Sequence, residues 1–105
     1  MARPLIKLPC GIIHTIEFAD HLRRIHASEA AQHRHQVLAL DYIRCGSGPQ
    51  QGTAWLQLAW IAEQNAPQAN RHRIGDVEVF ISRQSQRGLT GRGLHCEGEQ
   101  IVVMS

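Results

Sequence analysis

The spacing of apolar residues predicts one long helix near the start of the chain. Between Thr15 and His33, apolar side chains recur at the three- and four-residue intervals of a helix face: Ile16, Phe18, Ala19, Leu22 and Ile25. Thr15 is a residue type favoured as an N-cap, because its hydroxyl can accept a hydrogen bond from a backbone N–H of the first turn. Glu17 and Asp20 suit the positive end of the helix dipole.

After residue 36 the hydrophobic period changes from the helical repeat to two, which is typical of strands. The segment from Gln36 to Arg44 places Leu38, Leu40 and Tyr42 on one face. The segment from Thr53 to Glu63 alternates in the same way and places Ala54, Leu56, Leu58 and Trp60 on one face. Since Trp55 and Trp60 have opposite parity, they lie on opposite faces, and at least one of them belongs to the core.

The last third of the chain predicts shorter elements. The stretch "DVEVFIS" alternates valines and isoleucine as a strand would, and "SRQSQRGL" suits a short helix capped by Ser82. The stretch "RGLHCEGEQIVVM" predicts a closing hairpin that turns near Glu97, Gly98 and Glu99. In "LTGRGL" we expect Gly91 or Gly93 to adopt a positive φ, because the chain must turn there from helix to strand. The segment "NAPQANRHR" is interpreted as a polar connection.

This order of elements predicts the fold class α+β. An N-terminal helix would be followed by a mostly antiparallel or mixed β-sheet, or a pseudo-barrel, of about five to seven strands with one short helix. Few helices separate the strands, which argues against a doubly wound parallel sheet. The 105 residues suffice for one domain. We expect an N-terminal extension over residues 1–12 and a single domain over residues 13–105.

Composition and charge narrow the function classes without choosing one. The net charge is +2 with ten arginines against one lysine, which is too weak a basic bias to indicate nucleic acid by itself. No apolar run approaches the roughly 20 residues of a membrane span, and Pro4 and Pro9 interrupt the only segment that could serve as a secretion signal. Three cysteines without a CxxC motif do not suggest a disulfide framework, so we expect a cytoplasmic protein that does not contact a membrane.

Cys45 is the first candidate for chemistry, because it begins the glycine-rich stretch "CGSGPQQG". Glycines let backbone N–H groups approach a sulfur or an anion, which suits a metal ligand. The alternative is a small residue that ends a strand. Cys96 could meet Cys45 across the fold to bind a metal or form a disulfide, or it could be a buried strand cysteine. Cys10, between Pro9 and Gly11, is expected to be inert.

The segment "GDVEVFISRQSQRGLTGRGLHC" carries a resemblance to a known family. Its strand is followed by Ser85, Leu89, Gly91 and Leu94 at fixed offsets, and it resembles the strand, short helix and "LxGxxL" segment of the HesB/IscA-like family, the A-type iron–sulfur carriers. The upstream order of helix, strand, glycine-rich cysteine loop and strand is also similar. The resemblance covers about residues 13 to 103 and implies a HesB-like fold.

The resemblance also implies a function and a site. In the family, a loop cysteine and a C-terminal cysteine pair hold a metal or cluster. Cys45 matches the first, whereas the pair has no counterpart and Cys96 lies earlier than it. The chain is therefore expected to be a degenerate, non-enzymatic accessory protein that binds a protein partner or a labile metal, iron or an iron–sulfur cluster, rather than a stable cluster. A homodimer could bring two copies of Cys45 to one site.

Other residue types offer weaker alternatives. His21 and His26 are five residues apart, so they do not share a helix face as zinc-binding histidines do, and the histidines are interpreted as solvated. No nucleophile elbow, phosphate loop or dinucleotide fingerprint indicates an enzyme. The alternative function is a plain protein-interaction or nucleic-acid-binding module with structural cysteines. Nucleic acid is the lesser of these two options, because no combined basic and aromatic face is evident.

Overall fold

The computed structural model of the chain describes residues 5–44 and 54–104. In these two segments the strands and helices follow one another as β1 (Leu5–Lys7), β2 (Ile13–Thr15), α1 (Ile16–Glu29), β3 (Gln36–Arg44), β4 (Ala54–Ala62), β5 (Arg71–Ile74), β6 (Val77–Phe80), α2 (Arg83–Leu89), β7 (Gly93–Glu97) and β8 (Gln100–Met104). Short 3₁₀ turns cover Ala30–Gln32, Glu63–Asn65 and Gln68–Asn70. No helix within these segments is long and apolar enough to cross a membrane.

The strands form two four-stranded sheets, and this corrects the predicted architecture. One sheet has the order β1-β2-β7-β8 and the other the order β4-β3-β6-β5. Two strands precede α1, so the fold is not an N-terminal helix followed by a single sheet or pseudo-barrel of five to seven strands. The prediction was wrong because β1 and β2 have three residues each, too few to show an alternating pattern.

The alternation predicted for the central hairpin is confirmed. β3 pairs with β4 over its whole length, and the register places Leu38 opposite Trp60, Leu40 opposite Leu58 and Tyr42 opposite Leu56. All six side chains belong to the core cluster or pack against it. Because side chains alternate between the two faces of a strand, this register turns Trp55 and its cross-strand partner Ile43 to the other face.

Parallel pairings connect distant parts of the chain. β2 is parallel to β7, and β3 is parallel to β6, while the remaining strand pairs are antiparallel. Such pairings need a crossover connection: the chain between β2 and β7 includes α1 and α2, and the chain between β3 and β6 includes β4 and β5. The core between these elements includes fully buried Phe18 and Leu22 from α1 and Leu89 from α2.

Helix boundaries follow the capping residues. The Thr15 hydroxyl accepts a hydrogen bond from the N–H of Phe18 at 3.2 Å, and Ser82 caps α2 by accepting from the N–H of Ser85 at 3.2 Å. Both caps were predicted. α1 ends at Glu29, four residues before the predicted end at His33, because the chain tightens into the 3₁₀ turn Ala30–Gln32.

The segment interpreted as a polar connection contains a strand that the sequence pattern did not reveal. β5 reads Arg-His-Arg-Ile, and only Ile74 is buried. As the outer strand of its sheet, β5 keeps polar side chains at three of four positions, so its hydrophobic signal is weak. Gly75, with φ of 62°, begins the turn that returns the chain into β6.

Substitutions at Gly91 test the backbone conformation of the turn between α2 and β7. Its φ is 82°, and a Cβ added there would have no heavy atom within 4 Å, so the backbone conformation alone opposes a side chain. Gly91→Val should lower the free energy of unfolding by about 1–2 kcal/mol in urea titrations. Gly91→Asn should cost clearly less, because asparagine tolerates the left-handed region. Equal losses for the two variants would contradict this account of the turn.

Candidate functional site

The structure places two of the three cysteines, and Cys45 lies outside the described residues. Cys96, in β7, is buried, and its thiol donates a hydrogen bond to the carbonyl oxygen of Gly98 at 3.1 Å. Cys10 is half-buried and packs against the core. Cys96 is buried and Cys10 packs against the core, so neither residue presents a fully exposed thiol to a ligand.

Cys96 lines an open cleft between α1 and the β7–β8 turn. The cleft encloses about 390 Å³, and its lining residues are Glu17, Asp20, Arg23, Arg24, Cys96 and Gly98. A neighbouring hollow of about 370 Å³ continues along α1 and shares Arg24 and Gly98 with the cleft. The two hollows expose side chains of both charges, so no single sign of ligand charge is favoured here.

The pKa of the Cys96 thiol is raised above its ordinary value. Burial is the largest cause, because it disfavours the charged thiolate. Arg24 opposes this by lowering the pKa, and Glu99 adds to it by raising the pKa. A metal ligand or nucleophile must be a thiolate, so the protonated Cys96 is poorly suited to either role as it stands.

His95 belongs to a buried polar cluster at the start of α1. Its Nδ1 atom lies 2.9 Å from the Thr15 hydroxyl and 3.9 Å from a carboxylate oxygen of Glu17. Nδ1 of His14 donates to the carbonyl oxygen of Thr15 at 2.9 Å. These contacts join β2, α1 and β7 at one point. Thr15 is fully buried, so its hydroxyl does not reach an external substrate.

The histidines are less exposed than the sequence suggested. His14, His21 and His95 are all buried, which corrects their interpretation as solvated side chains. His33 stacks on Trp60 with ring centroids 4.8 Å apart, and His26 lies 5.9 Å from the same ring. Among residues 5–44 and 54–104, histidine, cysteine and carboxylate side chains form no group of three or more that could hold a metal ion.

A more spacious groove lies between β4 and β8. It encloses about 590 Å³, and its lining residues are Trp55, Leu56, Glu99, Gln100, Ile101, Val102 and Val103. Trp55 is 42% exposed, while Trp60 packs against the core, as their opposite parity predicted. The groove itself was missed, because the sequence does not show that β4 and β8 lie side by side.

Tyr42 packs against α2 and Arg92, and these contacts create a second surface that the sequence did not indicate. Nη1 of Arg92 donates a hydrogen bond to the Tyr42 hydroxyl at 2.8 Å, and the Tyr42 N–H donates to the Ser85 hydroxyl at 3.0 Å. The ring lies against Gly88 of α2, where an added Cβ would come within 2.7 Å of a ring carbon. The glycine is therefore required for the ring to pack on the helix.

Thr15 should prove important for stability. Thr15→Val keeps the shape of the side chain but removes both the cap of α1 and the contact with His95, and we expect a loss of about 1–3 kcal/mol in the free energy of unfolding. Thr15→Ser keeps the hydroxyl and should retain most of the stability in the same urea titration. A valine variant as stable as the serine variant would show that the cluster contributes little.

The raised pKa of Cys96 predicts slow thiol labelling. In a variant with Cys10 and Cys45 replaced by serine, the labelling rate should rise with pH around a midpoint above the ordinary thiol pKa. Arg24→Gln removes a charge that lowers this pKa and should move the midpoint further up, whereas Glu99→Gln should move it down. Shifts in the opposite directions, or no shifts, would contradict this account of the cleft.

Comparison with known proteins gives no match. No protein-family model matches the sequence, and neither a curated protein nor a solved structure is significantly similar to the chain. We therefore infer function from the contacts, burial and charges of the described residues.

Proposed function

We propose that the chain is a non-enzymatic accessory protein that binds an extended segment of a partner protein in the groove between β4 and β8. The exposure of Trp55 in this groove is the observation that carries the proposal. Aromatic side chains are enriched at protein interfaces, because they offer a large contact area at a low cost in conformational entropy. Trp55 lies on the face of β4 opposite to the core residues, so core packing does not explain a tryptophan there.

Strand edges favour an extended partner. β4 is the outer strand of one described sheet, and β8 is the outer strand of the other. An outer strand offers backbone N–H and C=O groups to which another chain can add a strand. β8 has five residues, which corresponds to a length of about 17 Å and to about five residues of a bound segment.

The charge of the groove narrows the chemistry of the partner. Among the described lining residues, Glu99 is the only charged side chain, and it lies at the end where β8 begins. The rest of the described lining is apolar apart from Gln100, and it consists of Trp55, Leu56, Ile101, Val102 and Val103. A complementary segment would alternate apolar side chains along a strand and carry a lysine or arginine at one end.

The proposal keeps the accessory role that the resemblance to A-type iron–sulfur carriers implies. It gives that role to a protein contact rather than to a metal, because Cys96 is protonated and hydrogen-bonded and Cys45 lies outside the described residues. Binding of labile iron through Cys45 stays a separate proposal that the groove neither requires nor opposes. We also propose a cytoplasmic location, since free Cys10 and Cys96 suit a reducing compartment.

Two synthetic peptides test the proposal. Both would have six residues with alternating valine and threonine, one ending in arginine and the other in glutamate at the same position. The arginine peptide should bind about tenfold more tightly, and it should shift the backbone amide signals of β8 and the indole signal of Trp55. Glu99→Arg should reverse the preference between the peptides, because it reverses the charge of the only charged side chain among the described lining residues.

Matched variants distinguish peptide binding in the groove from nonspecific hydrophobic binding. Trp55→Ser should remove binding, whereas Leu5→Ser should leave it unchanged, because Leu5 is also exposed but lies on β1 and not in the groove. Binding that survives Trp55→Ser, or equal affinity for the two peptides, would overturn the proposal. A homodimer in sedimentation that Trp55→Ser dissociates would assign the groove to a second copy of this chain instead.

A further inference from the structure

A hollow beside α2 has a lining of hydrogen-bond donors. It encloses about 260 Å³, and its described lining consists of Tyr42, Gln84, Arg87 and Gly88. The guanidinium of Arg87, the amide of Gln84 and the hydroxyl of Tyr42 can each donate a hydrogen bond. The hydroxyl oxygen of Tyr42 accepts from Arg92, so the hydrogen of that hydroxyl is available to another acceptor.

No ion pair in the described segments neutralises the arginines of α2. Arg83 and Arg87 are exposed on α2, and neither forms an ion pair with a carboxylate in the described segments. Arg92 adds a third guanidinium, held against the Tyr42 ring at 5.7 Å from its centroid. Asp41 lines the adjoining hollow, which also borders Tyr42 and Gln84, but it is not part of the lining around Arg87.

We propose that this hollow binds a small oxyanion, either a phosphate or a carboxylate group. The Arg87 guanidinium would contribute charge and a planar pair of donors, which match two oxygens of such a group. Gln84 and Tyr42 would donate to the remaining oxygen atoms. The space of about 260 Å³ is ample for an anion of this size and leaves room for the group that carries it.

The position of the Tyr42 ring is fixed before any ligand arrives. Arg92 donates a hydrogen bond to the Tyr42 hydroxyl, and the backbone N–H of Tyr42 donates one to the Ser85 hydroxyl. Gly88 has no side chain, so the ring can lie against the helix backbone. A donor that is already oriented loses little conformational freedom on binding. Gly88 also differs from the usual choice in a helix interior, where alanine is more favourable, so its presence in α2 follows from the close approach of Tyr42.

The only tyrosine in the chain provides the readout. The ring signals of Tyr42 would be followed by NMR while inorganic phosphate, sodium acetate or sodium chloride is added at matched ionic strength. We expect a saturable shift with phosphate, with acetate or with both, and only a small linear drift with chloride. Saturation with phosphate alone would indicate a phosphate-bearing ligand, and saturation with acetate alone would indicate a carboxylate.

Two arginines on the same helix form the control pair. Arg87→Gln should weaken anion binding by about tenfold or more, whereas Arg83→Gln should change it little, because Arg83 is exposed but does not line the hollow. Gly88→Ala keeps every charge but displaces the ring, and it should also weaken binding. The proposal would be overturned by linear shifts that are equal for all three salts, or by equal affinities in the Arg83 and Arg87 variants.

Discussion

The register between β3 and β4 is the constraint on which the rest of the structure depends. It pairs nine residues of β3 with nine of β4 without interruption, so one face of the hairpin becomes a continuous apolar surface. A shift by one residue would turn that whole surface away from the core. The same register fixes the positions of Tyr42 beside α2 and Trp55 at the outer edge. Both proposed binding surfaces therefore follow from the pairing that forms the core.

The central hairpin could be predicted from sequence because its signal is long and regular. Leu38, Leu40 and Tyr42 recur at every second position on one face of a nine-residue strand, and the bounds predicted for β3 agree with the structure. The two-sheet arrangement could not be predicted in this way. β1, β2 and β5 have three or four residues each, and the parallel pairs β2–β7 and β3–β6 join segments far apart in sequence. The hydrophobic period of a strand shows which of its faces is buried, but it does not show which other strand lies next to it in the sheet.

Cysteine chemistry was the least predictable part of the site, because it depends on surroundings that the sequence does not show. Cys96 was a reasonable candidate ligand by residue type. In the fold, its thiol donates to Gly98, and burial outweighs the favourable charge of Arg24, so the protonated form is preferred. Arg24 lies seventy-two residues earlier in the chain, and only the packing of α1 on the β7–β8 hairpin brings the two together. A prediction for Cys45 still stands untested, since it lies outside the described residues.

Net charge conceals how this chain distributes its charge. A net charge of +2 with histidine neutral excludes few classes of binding partner, and it suggests neither an acidic nor a strongly basic one. In the fold, Glu99 is the one carboxylate among the described residues that line the apolar groove, while Arg87 lines the hollow beside Tyr42 and forms no ion pair with a carboxylate in the described segments. Charges separated by more than about 10 Å are largely screened at physiological salt, so a ligand responds to the local set and not to the sum. One small domain can therefore present a surface suited to a basic segment and another suited to an anion.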